Sequence, residues 1–148
     1  MLKVEGILTA AQERLVTIKV DALLMDAARL LNGPQRNLVV VCDEAGKMAG
    51  VITKTDIVAC ISLCAGRSCT MAASQVMTQD VTFCRPEDWL DAVWSTIKQH
   101  GLKNIPVVDR DSKPIGVLNA RDALQALLED VQYEEKLLRD YVMCVGYR

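Results

Sequence analysis

The sequence feature that most constrains the fold of this chain is an internal repeat. Three blocks of the first half recur in the second half in the same order, and the offset between them changes by only one residue. The paired blocks are Val16-Thr17-Ile18 with Val81-Thr82-Phe83, Val39-Val40-Val41-Cys42-Asp43 with Ile105-Pro106-Val107-Val108-Asp109, and Gly50-Val51-Ile52-Thr53-Lys54-Thr55-Asp56 with Gly116-Val117-Leu118-Asn119-Ala120-Arg121-Asp122. A repeat of this kind decides architecture before any local pattern does, so the chain is a tandem duplication.

Hydrophobic periodicity and turn residues predict the same order of elements in each copy: strand, helix, strand, strand, helix. In the first copy these are a strand near Val16–Ile18, a helix near Leu23–Leu31, a hairpin of Leu38–Cys42 and Met48–Ile52, and a helix capped by Thr53. In the second copy they are a strand near Val81–Phe83, a helix with Trp89, Leu90, Val93 and Ile97, strands Ile105–Val108 and Pro114–Leu118, and a helix from Arg121.

The fold class that follows is mixed, α/β (α+β), with two tandem βαββα units related by pseudo-twofold symmetry and an extended C-terminal helix. We place the first unit with its N-terminal lead-in at residues 1–70, the second unit at 71–128 and a helical tail at 129–148. A unit of about 60 residues buries too little surface to be stable alone, so the two units should share a core.

These residues resemble the tandem CBS (cystathionine β-synthase) domain pair, or Bateman module. The resemblance covers about Val4 to Leu128 and rests on Gly50–Asp56, on Ile105–Asp109 and on the duplicated βαββα order. It implies two clefts between adjacent sheets, further pairing into a homodimer, and a regulatory, energy-sensing role without catalysis. It also implies that an adenosyl compound (AMP, ADP, ATP or S-adenosylmethionine) binds as regulatory ligand, with no required cofactor, and signals to an effector protein.

The residue types of the first cleft explain how such a motif can hold a nucleotide. A strand that ends at Thr53 and turns into a helix presents backbone N–H groups and the positive end of the helix dipole, which suit a phosphate group. Thr53 and Thr55 can add hydroxyl donors, and Asp56 can accept hydrogen bonds from the two hydroxyl groups of a ribose. The walls around the adenine are expected from two strands, at Thr17, Ile18, Val39 and Val40.

The second cleft departs from this motif. Asn119 stands where the first cleft has Thr53, while Asp122 keeps the ribose position. Arg121 can pair with a phosphate through two N–H groups and adds a charge that Thr55 lacks. The other residues that the repeat assigns to this cleft are Thr82, Phe83, Ile105 and Pro106.

Both motifs also fit a second interpretation. Thr53-x-x-Asp56 and Asn119-x-x-Asp122 are relatives of the capping box, in which an N-cap side chain and an acidic residue at N3 satisfy the first N–H groups of a helix. On this interpretation the chain is a ligand-free dimerisation scaffold.

The six cysteines suggest a third possible function, that of a thiol-based redox or metal sensor. Cys60, Cys64 and Cys69 lie close together, with Cys60 and Cys64 on one face of a helix. The other cysteines and His100 have no diagnostic spacing to this group, so we expect reduced thiols, some of them filling the core, rather than a metal site. With a single histidine we expect no catalytic residues.

Charge and hydropathy limit the kinds of partner that this chain can bind. With 17 Lys and Arg against 19 Asp and Glu, the net charge of −2 lacks the positive excess that nucleic acid attracts. The uncharged run Ile57–Gly66 is too short and too polar to cross a bilayer, and Met1–Glu5 does not begin like a signal peptide. We therefore expect a cytoplasmic protein with no nucleic-acid or membrane partner.

The tail continues the helical pattern from Leu124 to about Met143. Its early residues are acidic, and Leu137, Leu138, Tyr141 and Val142 form an apolar stripe. The stripe either packs on its own domain or contacts a dimer mate or partner.

Overall fold

The computed structural model describes residues 2–34, 36–63 and 70–146, with side chains through residue 142. After a short 3-10 helix at Val4–Ile7, the helices are α1 Leu8–Arg14, α2 Leu24–Leu30, α3 Lys54–Leu63, α4 Ala73–Val76, α5 Leu90–His100 and α6 Ala120–Gly146. The strands are β1 Thr17–Lys19, β2 Leu38–Cys42, β3 Met48–Thr53, β4 Asn104–Val108 and β5 Pro114–Asn119.

The two predicted hairpins are confirmed. Strand β2 pairs antiparallel with β3, and β4 pairs antiparallel with β5. The turns are built alike, because Oδ1 of Asp43 accepts the N–H groups of Ala45 and Lys47 at 2.9 Å. In the second copy Oδ1 of Asp109 accepts those of Asp111 and Lys113 at 2.9 and 3.0 Å.

The prediction that the second unit begins with a strand at Val81–Phe83 is wrong, because these residues form no strand. In the first unit β1 runs parallel to β2, and the N–H of Val40 donates to the carbonyl oxygen of Val16 at 3.0 Å. Proline occupies the equivalent position, 106, and has no N–H to donate. What is described of the third strand in the second sheet is an isolated parallel bridge between Cys84 and Val107.

The lead-in segments are exchanged between the units. The N-terminal segment packs on the second unit, where Val4 and Ala11 join its buried core. The lead-in segment of the second unit, residues 71–80, packs on the first unit, where Thr78 exchanges two backbone hydrogen bonds with Val51 at 2.9 and 3.0 Å. The domain boundaries at residues 70 and 128 stay a prediction, because packing crosses them.

Two glycines of the repeat permit this exchange. A Cβ on Gly50 would lie 2.7 Å from the carbonyl oxygen of Thr78, and one on Gly116 would lie 2.9 Å from the Cβ of Ala11. Since real Cβ atoms do not approach other atoms so closely, a glycine in each hairpin lets a lead-in segment lie against it.

The two units share apolar contacts, as expected for units too small to be stable alone. Each has its own core, and a third cluster joins them through Leu38, Val40 and Val51 of the first sheet and Val117 of the second. This shared packing sets the two sheets side by side and leaves a cleft where α3 begins.

Candidate functional site

A cleft of about 510 Å³ lies between the two units, at the start of α3. The first unit lines it with Asn37, Leu38, Val51, Thr53, Lys54, Thr55 and Asp56. The second unit, including its lead-in segment, lines it with Thr78, Asp80, Val81, Thr82, Gly101, Leu102, Lys103, Asn104 and Pro106. This volume lies within the range of sites that enclose small molecules, and the lining combines apolar side chains with many polar and charged ones.

The junction of β3 and α3 positions the polar groups of the first unit. Oγ1 of Thr53 accepts the N–H of Asp56 at 3.3 Å, and Oδ2 of Asp56 accepts the N–H of Thr53 at 2.9 Å. Both hydrogen bonds of a capping box are therefore present for this pair. Capping uses one carboxylate oxygen of Asp56 and fixes the side chain in the wall of the cleft, so the residue can cap the helix and face a ligand together.

The predicted residues of the first cleft divide into two groups. Thr53, Thr55 and Asp56 line the cleft, whereas Val39 and Val40 are fully buried in the hydrophobic core. Thr17 is exposed on β1, and Ile18 packs against the core of the first unit. The wall opposite Asp56 is instead built by the second unit.

Two residues that the sequence assigned to the second cleft, Thr82 and Pro106, line this one. The cleft also contains Thr78, Asp80 and Asn104, which sequence reasoning missed. No local pattern marks these residues. They come close to α3 only because the two units pack together and the lead-in segment of the second unit lies beside β3.

The charged side chains at the cleft are balanced. Lys54 at the start of α3 and Lys103 before β4 stand with Asp56 and Asp80. A ligand with an anionic end and a hydroxyl-rich end matches such a mixture, because the amines and helix N–H groups attract anions and the carboxylates accept from hydroxyl groups.

The equivalent carboxylate of the second unit is already paired. Nε of Arg14 donates to Oδ2 of Asp122 at 2.8 Å, and its Nη2 donates to Oδ1 at 3.4 Å. Both side chains are largely sheltered, with 16% and 28% exposed. Arg14 lies at the end of α1, so the exchanged lead-in segment carries this cation to the second motif.

The rest of the second motif also differs from the first. Oδ1 of Asn119 accepts the N–H of Arg121 at 2.9 Å, and its Nδ2 donates to Oδ1 of Asn104 at 3.0 Å. Arg121 is exposed. Ile105 is buried in the core, and Phe83 lies half-exposed beside Arg85, whose guanidinium carbon is 5.3 Å from the ring centroid.

The described cysteines show no metal-binding arrangement. Within residues 2–34, 36–63 and 70–142, no group of three His, Cys, Asp or Glu side chains could hold a metal ion. Burial raises the pKa of the Cys84 thiol to about 12, and burial with the nearby Asp43 raises that of Cys42. Cys64, Cys69 and the side chain of Cys144 lie outside the described residues, so the three-cysteine cluster stays untested.

The helices were also compared with the length and hydropathy of a membrane span. In the described part of the chain, none is both long and apolar enough to cross a bilayer.

Comparison with known proteins identifies both halves of the repeat. The family model of the CBS domain matches residues 4–63 and again 73–129. An L-aspartate semialdehyde sulfurtransferase from Methanosarcina acetivorans is 27% identical over 114 residues, which are 77% of this chain. The chain spans only 22% of the length of that enzyme.

Solved structures share the fold. The structure of CBSX2 in complex with AMP has a TM-score of 0.74 and 24% identity, covering 87% of this chain and 98% of that one. The CBS domain pair of protein MJ0100, in complex with 5′-methylthioadenosine and S-adenosyl-L-methionine, has a TM-score of 0.72 and 22% identity, covering 88% of this chain and 98% of that one.

Proposed function

The chain belongs to the CBS domain family, which matches both of its units, and we propose that it is a regulatory module that binds an adenosyl ligand between those units. The observation that carries the proposal is the cleft of about 510 Å³ at the start of α3. It brings Thr53, Thr55 and Asp56 of the first unit opposite Thr82 and Pro106 of the second.

Each part of an adenosyl ligand has matching chemistry in the cleft. The second carboxylate oxygen of Asp56 accepts from the ribose hydroxyl groups, while Oδ2 keeps its bond to the N–H of Thr53. The anionic end lies against Thr55, Lys54 and the N–H groups at the start of α3. The adenine ring lies on the apolar wall formed by Val81, Leu102 and Pro106.

Relatives with the same fold support this ligand class. CBSX2 is described with AMP, and the MJ0100 pair with 5′-methylthioadenosine and S-adenosyl-L-methionine. These ligands share the adenosine moiety and differ in what is attached to its 5′ carbon. The proposal for this chain therefore names the adenosyl class and leaves the 5′ group to the experiment.

The proposed stoichiometry is one ligand per chain. The second carboxylate that could receive a ribose, Asp122, holds the guanidinium of Arg14 through both oxygens. A ligand would have to displace this ion pair before its hydroxyl groups could reach Asp122.

Binding between the units gives the ligand a means to act as a signal. Because its two walls belong to different units, the ligand favours the relative arrangement of the units that closes on it. A homodimer or an effector protein in the cytoplasm then reads that arrangement, and the chain itself performs no catalysis. A ligand that bound all arrangements equally would transmit nothing, so binding and signalling are tested separately.

The test is isothermal titration of the chain with AMP, ADP, ATP and S-adenosylmethionine, with GMP as control. We compare Asp56→Asn with Asp122→Asn, because an asparagine amide oxygen can still accept the N–H of Thr53 and keep the helix cap. Loss of the charged acceptor should weaken adenosyl binding about 10- to 100-fold in Asp56→Asn. Asp122→Asn should change the affinity less than about threefold, since exposed or distant groups contribute little.

Two results would replace the proposal. If no adenosyl compound binds, the chain is a dimerisation scaffold in which Thr53 and Asp56 serve as a cap. If binding is absent and oxidation or added zinc changes the oligomeric state, with the response lost in Cys60→Ser, the thiol or metal sensor replaces it. Equal losses in both Asp variants would contradict the assignment of the first cleft.

A further inference from the structure

We propose that the outer half of α6 is an interface that pairs antiparallel with α6 of a second copy of this chain. This inference names a surface for the homodimer proposed above and rests on that proposal. From Ala120 to about Asp130 the helix lies against its own unit, and several of its side chains there are sheltered. From Val131 to Val142 every side chain is exposed.

A helix exposed on all sides lacks the packing that normally stabilises a helix in water. Isolated helices of about 12 to 15 residues are marginal in water, because nucleation is costly and each added hydrogen bond returns little. The outer half of α6 nevertheless carries large apolar side chains, including Leu138 at 65% and Tyr141 at 67% exposure. This combination indicates a surface that is covered in the assembled protein.

The apolar side chains follow the repeat of a coiled coil. Leu124, Val131 and Leu138 recur every seven residues, and Leu128 and Val142 lie four residues after members of that series. These residues, which we call the α6 seam, alternate at spacings of three and four, as two supercoiled helices require. One position of the seam, 135, is occupied by a glutamate.

Charge selects the antiparallel direction. The segment from Glu129 to Glu135 contains four acidic residues and no basic one, and Lys136 and Arg139 follow it. Parallel pairing would place the acidic segment against itself and bring two Glu135 carboxylates together in the seam. In antiparallel pairing with Val131 opposite Val142, the acidic segment faces Arg139 and Asp140 of the second copy, so the two acidic segments no longer face each other.

The glutamate in the seam has a neighbour of opposite charge on its own helix, and the antiparallel direction keeps it from facing Glu135 of the second copy. On its own helix, Nη2 of Arg139 lies 3.6 Å from Oε1 of Glu135. In the register that sets Val131 opposite Val142 of the second copy, each Glu135 faces Leu138 and stays beside its own Arg139. A second copy in this direction therefore covers Val131, Leu138 and Val142 without setting the acidic segments against each other.

The first test is sedimentation equilibrium of the full chain, comparing the wild type with Leu138→Glu and Tyr133→Glu. Tyr133 is a matched control, because it is 62% exposed like Leu138 but lies off the seam, on the opposite side of the helix. A glutamate buried in the seam should weaken the dimer by about tenfold or more, whereas one outside it should have little effect.

The second test determines the direction. Tyr141, at the edge of the seam, is replaced by the photo-crosslinking residue benzoylphenylalanine in a mixture of isotopically light and heavy chains. We expect mixed-isotope crosslinks to residues near Gln132 of the second copy. Crosslinks near position 141 would show parallel pairing and overturn the assigned direction.

The outcomes separate this inference from the proposals on which it rests. If Leu138→Glu leaves the dimer intact, the proposed α6 interface is wrong, but the proposed homodimer stands. If the wild-type chain is monomeric, both proposals are wrong, and the α6 seam would have to bind a different protein. Adenosyl binding, measured on the same variants, should be unchanged, because the seam lies away from the cleft.

Discussion

The two repeat units carry the same motif at the same place and use its carboxylate differently. Asp56 accepts the N–H of Thr53 and lines a cleft, whereas Asp122 is bound by Arg14 from the other end of the chain. Both aspartates begin a helix after a buried strand. The difference comes from the lead-in segments, since the one that reaches the second motif ends in an arginine and the one that reaches the first has Gln79 at the corresponding place.

This comparison shows why a duplicated motif does not imply two equivalent sites. The local sequence creates a carboxylate at a helix start in both units, but distant residues decide whether that carboxylate is available. Substitutions can test this comparison at features that are alike in the two units and at features that differ.

The largest expected effect concerns the glycines that admit the lead-in segments. Replacing Gly50 or Gly116 by alanine should each lower the free energy of unfolding by about 2 to 3 kcal/mol, because an added Cβ would overlap Thr78 or Ala11. Urea denaturation measures this. Gly33→Ala is the control, since the nearest atoms there belong to the flexible side chain of Arg36.

The two glycines should differ in how they can be rescued. The nearest atom to the new Cβ at 116 is the Cβ of Ala11, so Ala11→Gly should restore part of the stability lost in Gly116→Ala. At 50 the nearest atom is a backbone oxygen that is hydrogen-bonded to Val51, so truncating Met77 should restore little. Wild-type stability in either glycine variant would contradict the close packing of the lead-in segments.

The next effect contrasts Cys84 with Ile18. In the structure the two residues occupy equivalent places, because Ile18 pairs with Val41 and Cys84 with Val107. Burial raises the pKa of Cys84 from 9.0 to about 12, so the folded protein keeps a proton that the unfolded chain releases above pH 9. The stability gained from the neutral thiol is therefore complete below pH 9 and is lost between pH 9 and pH 12. Over the 1.5 units to pH 10.5 the loss should be about 2 kcal/mol.

Cys84→Val isolates this contribution. Urea denaturation at pH 8 and pH 10.5 should show a smaller loss in the variant than in the wild type, because valine, like isoleucine at position 18, does not titrate. Other groups that ionise in this range are common to both proteins. Equal losses in the two proteins would contradict a raised thiol pKa.

Particular residues show how far the sequence could predict this molecule. The hairpins and the cap at Thr53 follow from local patterning, the shared core follows from the small size of each unit, and all are present. The Arg14–Asp122 pair could not be predicted, because its members are 108 residues apart and no spacing rule links them. The exchange of lead-in segments has the same cause, since it depends on how whole units pack.

One signal was readable and was missed. Pro106 stands where the first unit has Val40, and a residue without an N–H cannot complete the bond that Val40 makes to Val16. The repeat favours a strand at Val81–Phe83, but this substitution removes an N–H that the strand would need. The assignment of Pro106 to a second cleft followed from the same assumption of symmetry.

The third effect tests whether Arg14 closes the second motif. Arg14→Gln copies the residue at the corresponding place before the first motif and should cost about 1 kcal/mol of stability, the contribution of a partly sheltered ion pair. Isothermal titration should then give two adenosyl ligands per chain instead of one. The control, Asp122→Asn, should lose similar stability and gain no site. A stoichiometry that stays at one would show that Asn119, and not only Arg14, keeps the second motif closed.

The smallest effect concerns the missing strand. Pro106→Val supplies an N–H where Val40 has one. This group can donate to the carbonyl oxygen of Thr82, two residues before Cys84, as Val40 donates at 3.0 Å to that of Val16, two residues before Ile18. One added hydrogen bond should contribute about 0.5 kcal/mol or slightly more. The more direct readout is hydrogen exchange, in which the amide of residue 106 should be protected to a degree approaching that of Val40. Rapid exchange at this amide would contradict the idea that Pro106 prevents the third strand. The packing of the second sheet against α1 would then be the reason that the sheet has two strands.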